Sequence, residues 1–226
     1  MKKVIIKDAG RPAAQILKGF SELKDVYSIS CVVADSQERA NIMKSYIRLL
    51  DNRTKIIGPA LTVKLSTGDL VDCLDALKVA QEGDVIVVDA FGETETSIWG
   101  GLMSGLCKAK GVSGAIVDGA IRDTDETRDM NFPIAAKAIV PRSTHSPYSD
   151  RYEPIEINVP IQCGGICIHP GDIIVADEIG VTVVPKEEAE TVLYKARDQA
   201  EKEEKTRQRI KEGKSVDELL DEFGRI

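Results

Sequence analysis

A chain of 226 residues with 42% hydrophobic and 30% charged side chains can bury one sizeable core, and no apolar run approaches the roughly 20 residues that span a bilayer. Its net charge of -7 and pI near 5.1 argue against a nucleic-acid partner, because phosphate binding needs a basic surface that releases counterions. Five scattered cysteines (Cys31, Cys73, Cys107, Cys163 and Cys167) read as free thiols rather than a disulfide framework, and MKKVIIKDAGRP has too short an apolar segment for a signal peptide, so the expected location is the cytoplasm.

The first 55 residues alternate polar and apolar side chains at helical spacing. AAQILKGFSELKD and SQERANIMKSYIRLLD read as helices, with SCVVAD as a short strand between them. The pattern then changes to strands that are apolar on both faces, separated by helices. Lys55 to Leu65 reads as a strand, Asp69 to Gly83 as a helix, and Asp84 to Ala90 as a strand. Thr96 to Gly111 reads as a helix, and Gly114 to Ile121 as a second buried strand. From Pro133 onward the strands come without long helices, and HPGD and DEIG read as hairpin turns, so the sheet is expected to be mixed. Lys186 to Gly213 reads as a long helix whose outer half is too charged to bury a broad face. It is either a solvated helix or an arm lying against a neighbouring subunit.

Two stretches carry candidate chemistry. Arg122 and Asp123 follow a buried strand through Gly119, whose missing side chain lets a ligand or another backbone approach closely. Ligands of α/β proteins gather beyond the carboxyl ends of strands, where a carboxylate can hold a hard cation and a guanidinium can fork onto a carboxylate or keto oxygen. An Arg-Asp neighbour pair can equally be a strand-end salt bridge. In SIWGGLMSG, Gly100 and Gly101 open a helix and expose amides that favour anions, although glycine there can also serve close helix-to-strand packing. Among the other polar residues, Asp118 reads as a strand-end cap or a support for the site. Trp99 reads as core or interface, and His145 and His169 as loop and turn residues. Lys108 and Lys110 read as solvated, and Asp125 and Glu126 as helix-start carboxylates. CGGIC lacks the spacing and the second pair of a zinc knuckle.

The run WGGLMSGLCKAKGVSGAIVDGAIRDTDE, with VPIQCGGICIHPGDIIVADEIGVTVVP further on, resembles the RraA-like family, and in particular its 4-hydroxy-4-methyl-2-oxoglutarate aldolase branch. The likeness covers residues 56–185. It implies a three-layer swivelling α/β fold of mixed sheets, with N-terminal helices. Residues 1–185 would form the domain, and residues 186–226 a C-terminal helical arm packed on a neighbouring subunit of a homotrimer or homohexamer. It also implies that Gly100, Gly101, Leu102 and Met103 bind the pyruvate-like end of a 2-oxo acid. Arg122 would contact the substrate, Asp123 would bind magnesium or manganese, and Glu203, or its neighbours Glu201 or Glu204, would reach the metal from the adjacent subunit. Aldolase members often carry an acidic residue where this chain has Gly101.

The implied activity is a metal-dependent lyase that releases a pyruvate enolate, with oxaloacetate decarboxylation alongside. The alternative is a protein-binding regulator of the RNase E type. Asp123 weighs against that alternative, because the short regulators tend to lose the metal-binding acid. A third label attached to such sequences, methyltransferase, lacks the glycine-rich cofactor loop it would need after the first strand.

Overall fold

The computed structural model describes residues 3–66, 70–144 and 155–224. Its centre is a parallel sheet of β3 (Ile56–Lys64), β4 (Val85–Trp99), β5 (Gly114–Ile121) and β6 (Ile134–Ile139). The short β2 (Arg48–Leu49) pairs antiparallel with β6 at one edge. At the other edge β7 (Glu156–Ile157) pairs with β3, and β1 (Val4–Ile5) lies beyond it. The first half of β3 also pairs with β10 (Ile173–Ala176), which forms a hairpin with β11 (Val181–Val184). A separate hairpin joins β8 (Ile161–Cys163) to β9 (Ile166–Ile168). Its Gly164 and Gly165 both have positive φ, as a tight two-residue turn requires.

Strict alternation along the central strands separates two cores. Ile86, Val88, Ala115 and Val117 point to one face, where Trp99, Met103 and Cys107 cover them. Val85, Val87, Ile116 and Ala135 point to the other, against Ile161, Ile168, Ile174 and Val183 of the smaller β elements. A third core lies outside β10 and β11, under α1 (Ala14–Ser21), α2 (Ile29–Asp35) and the first half of α5 (Ala189–Lys211). All eight residues of β5 are buried, and each large aliphatic side chain among them contributes about 1.5–3 kcal/mol. Helix, sheet and β layers therefore stack as expected, with the terminal helices added on the outside. No described helix is long and apolar enough to cross a membrane.

Several local expectations are corrected. SCVVAD is helical: Ile29, Val32 and Val33 are all buried, and that spacing is one helix face packed on β10 and β11. Its β-branched residues favour a strand locally, and tertiary packing overrides them. SQERANIMKSYIRLLD forms no long helix, because Glu38, Arg39 and Asn41 adopt positive φ. Met43 and Ile47 instead drop into the second core from irregular chain. Within Asp69–Gly83 the described residues hold only a 3-10 turn at Leu74–Lys78. Thr96–Trp99 belongs to β4, and α3 starts at Gly101 and ends at Ala109. DEIG joins a hairpin, whereas HPGD leads from one sheet into another. Beyond α5, a separate α6 (Val216–Phe223) begins with a capping box of Ser215 and Glu218.

Gly58 lies where β3 passes the turn at Gly83, and a Cβ there would overlap the Gly83 carbonyl oxygen. Gly58→Ala is expected to lower unfolding stability by about 1–3 kcal/mol, read from urea denaturation, because backbone cannot move aside as a side chain tip can.

Candidate active site

Strand β5 ends at Ile121 and the chain turns at once. The Arg122 amide donates to the Trp99 carbonyl at 2.9 Å, and Asp123 takes left-handed backbone at φ 52° before α4 (Thr124–Asp129). Asp tolerates that region better than most side chains. Asp123 stands at the N-cap position of α4, yet its side chain makes no cap bond there. It reaches sideways, and Oδ2 accepts the Gly101 amide of α3 at 3.1 Å.

This contact explains the two glycines. Gly100 has ordinary extended backbone, so space rather than conformational freedom selects it. A Cβ on Gly100 would stand 2.6 Å from Asp123 Oδ2, and one on Gly101 would overlap the Glu126 carboxylate of α4. The glycines therefore make room for two carboxylates rather than for helix-to-strand packing. Gly119 serves a different approach, since its Cβ would meet that of Ala90 on β4 at 2.8 Å.

A relay of hydrogen bonds fixes the junction from behind. The Trp99 indole donates to Ser104 Oγ at 3.0 Å, and Ser104 Oγ lies 3.2 Å from Thr127 Oγ1. Thr127 Oγ1 and its amide both donate to the Asp123 carbonyl, at 3.0 and 3.1 Å. Ser104 and Thr127 are buried, so losing one partner would leave a desolvated hydroxyl at a cost of about 1–3 kcal/mol. Trp99 itself is core, stacked on Phe132 with ring centroids 6.4 Å apart.

A cleft of about 320 Å³ opens over the junction. One side is Trp99, Gly100, Leu102, Met103, Arg122 and Asp123, and the other includes Asp72, Ser143 and Thr144. Ser104 makes the first helical hydrogen bond, to the Gly100 carbonyl, so the Leu102 and Met103 amides belong to the unpaired first turn of α3. Arg122 Nε is 3.6 Å from Asp123 Oδ2, with both side chains about 40% exposed, a pairing worth at most about 1 kcal/mol. Asp123 Oδ1 takes no hydrogen bond from a described residue. Burial pushes the Cys107 thiol up to about 12, which removes it as a nucleophile.

The structure thus gathers Gly100, Leu102, Met103, Arg122 and Asp123 around one cleft, with Gly101 buried directly behind them. It does not bring Glu203 there within one chain. Glu203 accepts from Arg207 at 2.6 Å and from Gln199 at 3.2 Å, on the helix that packs over the third core. Glu201 and Glu204 pair with Lys205 and Arg207 and are more exposed. Lys108 donates to the Met130 carbonyl and so ties α3 to the end of α4. His169 sits in a turn bonded to Asp172, and His145 lies outside the described residues. Ser104 and Thr127 were not singled out from sequence, and Glu126 was read only as a helix-start carboxylate, which it is, in the first turn of α4. The available signal was spacing, since Ser104 and Thr127 each lie four residues after a motif residue, Gly100 and Asp123.

The overlap at Gly101 predicts a coupled pair. Gly101→Ala gains helix propensity but forces the exposed Glu126 carboxylate aside, so it is expected to be more favourable in a Glu126→Ala background, giving a coupling of about 0.5–3 kcal/mol in a double-mutant denaturation cycle. Strictly additive effects would show that Glu126 does not occupy the space above Gly101.

The sequence profile described as RraA-like, Aldolase/RraA, matches residues 25–183. A relative from Halalkalibacterium halodurans, provisionally named 4-hydroxy-4-methyl-2-oxoglutarate aldolase, is 41% identical over 73% of this chain and 76% of its own. An uncharacterized protein of Methanocaldococcus jannaschii is 33% identical over 96% of this chain and 98% of its own. Among solved structures, Streptomyces coelicolor RraAS2, described as an unusual member of the RNase ES inhibitor RraA protein family, superposes with a TM-score of 0.73 at 31% identity. That superposition covers 88% of this chain and all of the other. The profile match and the two relatives place this chain in the RraA-like family.

Proposed function

We propose that the cleft over α3 and α4 cleaves a carbon-carbon bond in a pyruvate-containing 2-oxo acid, such as 4-hydroxy-4-methyl-2-oxoglutarate, and decarboxylates oxaloacetate. The observation that carries this reading is the convergence of Arg122, the open oxygen of Asp123 and the first turn of α3 on one small cleft. Relatives named as aldolases at 41% and 34% identity support the lyase class.

The donor set fits a hard divalent cation, magnesium or manganese. No group of three His, Cys, Asp or Glu residues able to hold a metal occurs among the described residues. Magnesium, however, is commonly held by one or two carboxylates with waters and substrate oxygens completing the shell. Asp123 would hold it, and Glu203 from a second copy of the chain would supply the further carboxylate in a trimer or hexamer. Bound there, the cation supplies positive charge where the enolate oxygen gains negative charge.

The chain's own groups do the rest. Arg122 forks onto the substrate carboxylate and keto oxygen, and the Leu102 and Met103 amides point positive dipole at the same anion. In decarboxylation the C3–C4 bond of oxaloacetate breaks and its electron pair stays with C3 as the pyruvate enolate. Carbon dioxide leaves, and a proton then adds to C3. In retro-aldol cleavage of 4-hydroxy-4-methyl-2-oxoglutarate the C4 hydroxyl gives its proton to water and the C3–C4 bond breaks. C4 leaves as the keto carbon of one pyruvate, and the electron pair stays with C3 as the enolate of a second, which a proton then quenches. Trp99 and Met103 on the cleft wall keep water from the developing charge, which strengthens each electrostatic contact.

A second reading, a protein-binding regulator of ribonuclease, is favoured by the Streptomyces neighbour and by a Thermus structure described as an RNA-processing inhibitor, at 25% identity with a TM-score of 0.58. It predicts no turnover. The lyase reading predicts that pyruvate is released from oxaloacetate with magnesium and that EDTA abolishes the enzymatic rate. Asp123→Asn keeps an acceptor for Gly101 and a residue that tolerates left-handed backbone, so it isolates the charge. It is expected to lower kcat/KM by about 100-fold or more, as is Arg122→Met, with little change in denaturation midpoint. Turnover indifferent to EDTA and to Asp123→Asn contradicts the assignment.

A further inference from the structure

On the opposite face of the central sheet, the apolar alternation fails on four neighbouring strands at once. Lys64 of β3 pairs in register with Asp89 of β4, which pairs with Asp118 of β5. Lys137 of β6 follows Ala136, which pairs with Val117, so it comes next to Asp118. All four share the face of Val87 and Ile116, by the alternation of side chains along a strand. The result is a row of charges, plus, minus, minus, plus, across the sheet where β3 ends and the pairing of β4, β5 and β6 becomes irregular.

This row forms one wall of a cleft of about 530 Å³, closed on the other side by Tyr46 and by Gln162 and Cys167 of the β8–β9 hairpin. The volume is that of an ordinary small-molecule site. None of its lining residues lines the cleft at Arg122 and Asp123.

The hydrogen bonding says what is missing. Asp89 is satisfied, since its oxygens accept the amides of Phe91 at 3.0 Å and Gln162 at 3.2 Å. Asp118 Oδ2 accepts the Gly164 amide at 2.7 Å. Asp118 Oδ1 is buried without a hydrogen-bond partner among the described residues, in a side chain whose residue is 7% exposed. A buried carboxylate oxygen in that state requires a donor. Beside it, the Lys137 ammonium donates to the Gly92 carbonyl at 2.9 Å and lies 4.8 Å from the Tyr46 ring centroid, leaving further protons for an anion. Phe91 and Gly92, both at positive φ, form an irregularity within β4 beside these groups, where the pairing with β5 shifts register. Backbone held in that region is found where a site is shaped.

The lysines disfavour a bare metal cation, and the carboxylates disfavour an anion that carries acceptors alone. We propose that this cleft is a second small-molecule site for a hydroxylated anion, a sugar acid or sugar phosphate, with a hydroxyl donating to Asp118 Oδ1 and the anionic group held by Lys137. Such a ligand would be held here by a donating hydroxyl, whereas the pyruvate end proposed for the Arg122 cleft presents only carboxylate and keto acceptors.

Isothermal titration of the full chain with gluconate, glucose 6-phosphate, glucose and pyruvate, each at millimolar concentration, tests this. Gluconate or glucose 6-phosphate is expected to bind, and which of the two binds more tightly separates carboxylate from phosphate. Glucose and pyruvate are expected to bind at least about tenfold more weakly at this site. Asp118→Asn can keep the Gly164 contact while presenting a donor in place of Oδ1, and Lys137→Met removes the cation. Each is expected to weaken binding about tenfold or more, the scale of a lost hydrogen bond to a charged group. Arg122→Met leaves this binding intact, and Asp118→Asn and Lys137→Met leave oxaloacetate turnover intact, so failure here is separable from failure of the lyase reading. The proposal is overturned if neither hydroxylated anion binds, as when an ordered water alone satisfies Asp118. It is also overturned if binding survives both Asp118→Asn and Lys137→Met, if it is lost in Arg122→Met, or if the two variants change the oligomeric mass without changing the affinity.

Discussion

The hydrogen bond from the Gly101 amide to the Asp123 carboxylate joins the end of one strand-helix unit to the start of the next. It holds Asp123 across the opening of α3 rather than over its own helix, and that placement requires left-handed backbone at Asp123. It also leaves no room for a side chain at Gly100, whose Cβ would meet that carboxylate, while Gly101 clears space for the carboxylate of Glu126. Thr127, Ser104 and Trp99 then lock the turn from the buried side. One anionic group thereby becomes a fixed part of a helix N-terminus that would otherwise attract any anion. Its other oxygen and the neighbouring Arg122 are left to the cleft.

Much of the frame was legible because burial writes itself into strand composition. Val85–Val88 and Gly114–Val117 are apolar on both faces, as a sheet covered on both sides demands, and the long charged terminal helix was visible from its helix formers. The N-terminal third was misread where local and tertiary signals disagree. Ile29, Val32 and Val33 look like strand residues and pack as a helix, while Met43 and Ile47 show helical spacing and enter the core from irregular chain. Nothing local announces the positive φ at Glu38 and Arg39.

The site was legible in part. Arg122, Asp123 and the double glycine stood out by residue type and place, and the fold gathers them. Their supports did not stand out. Whether Thr127 faces Ser104, or Glu126 lies over Gly101, depends on how α3 and α4 pack, which is a long-range property. In the same way, Lys64, Asp89, Asp118 and Lys137 are far apart in sequence and form a row only through strand order and register. The central sheet thus carries one polar cluster at a strand-to-helix junction and another on the face of its own strands.

The most direct test of the account is a crystal structure of the chain grown with magnesium and oxalate, a planar analogue of the pyruvate enolate. The account predicts oxalate in the cleft between Arg122 and the start of α3, with a cation against the Asp123 carboxylate, and neither present in crystals of Asp123→Asn. Oxalate bound elsewhere, or held at Arg122 equally well without the cation and without the Asp123 charge, would contradict it.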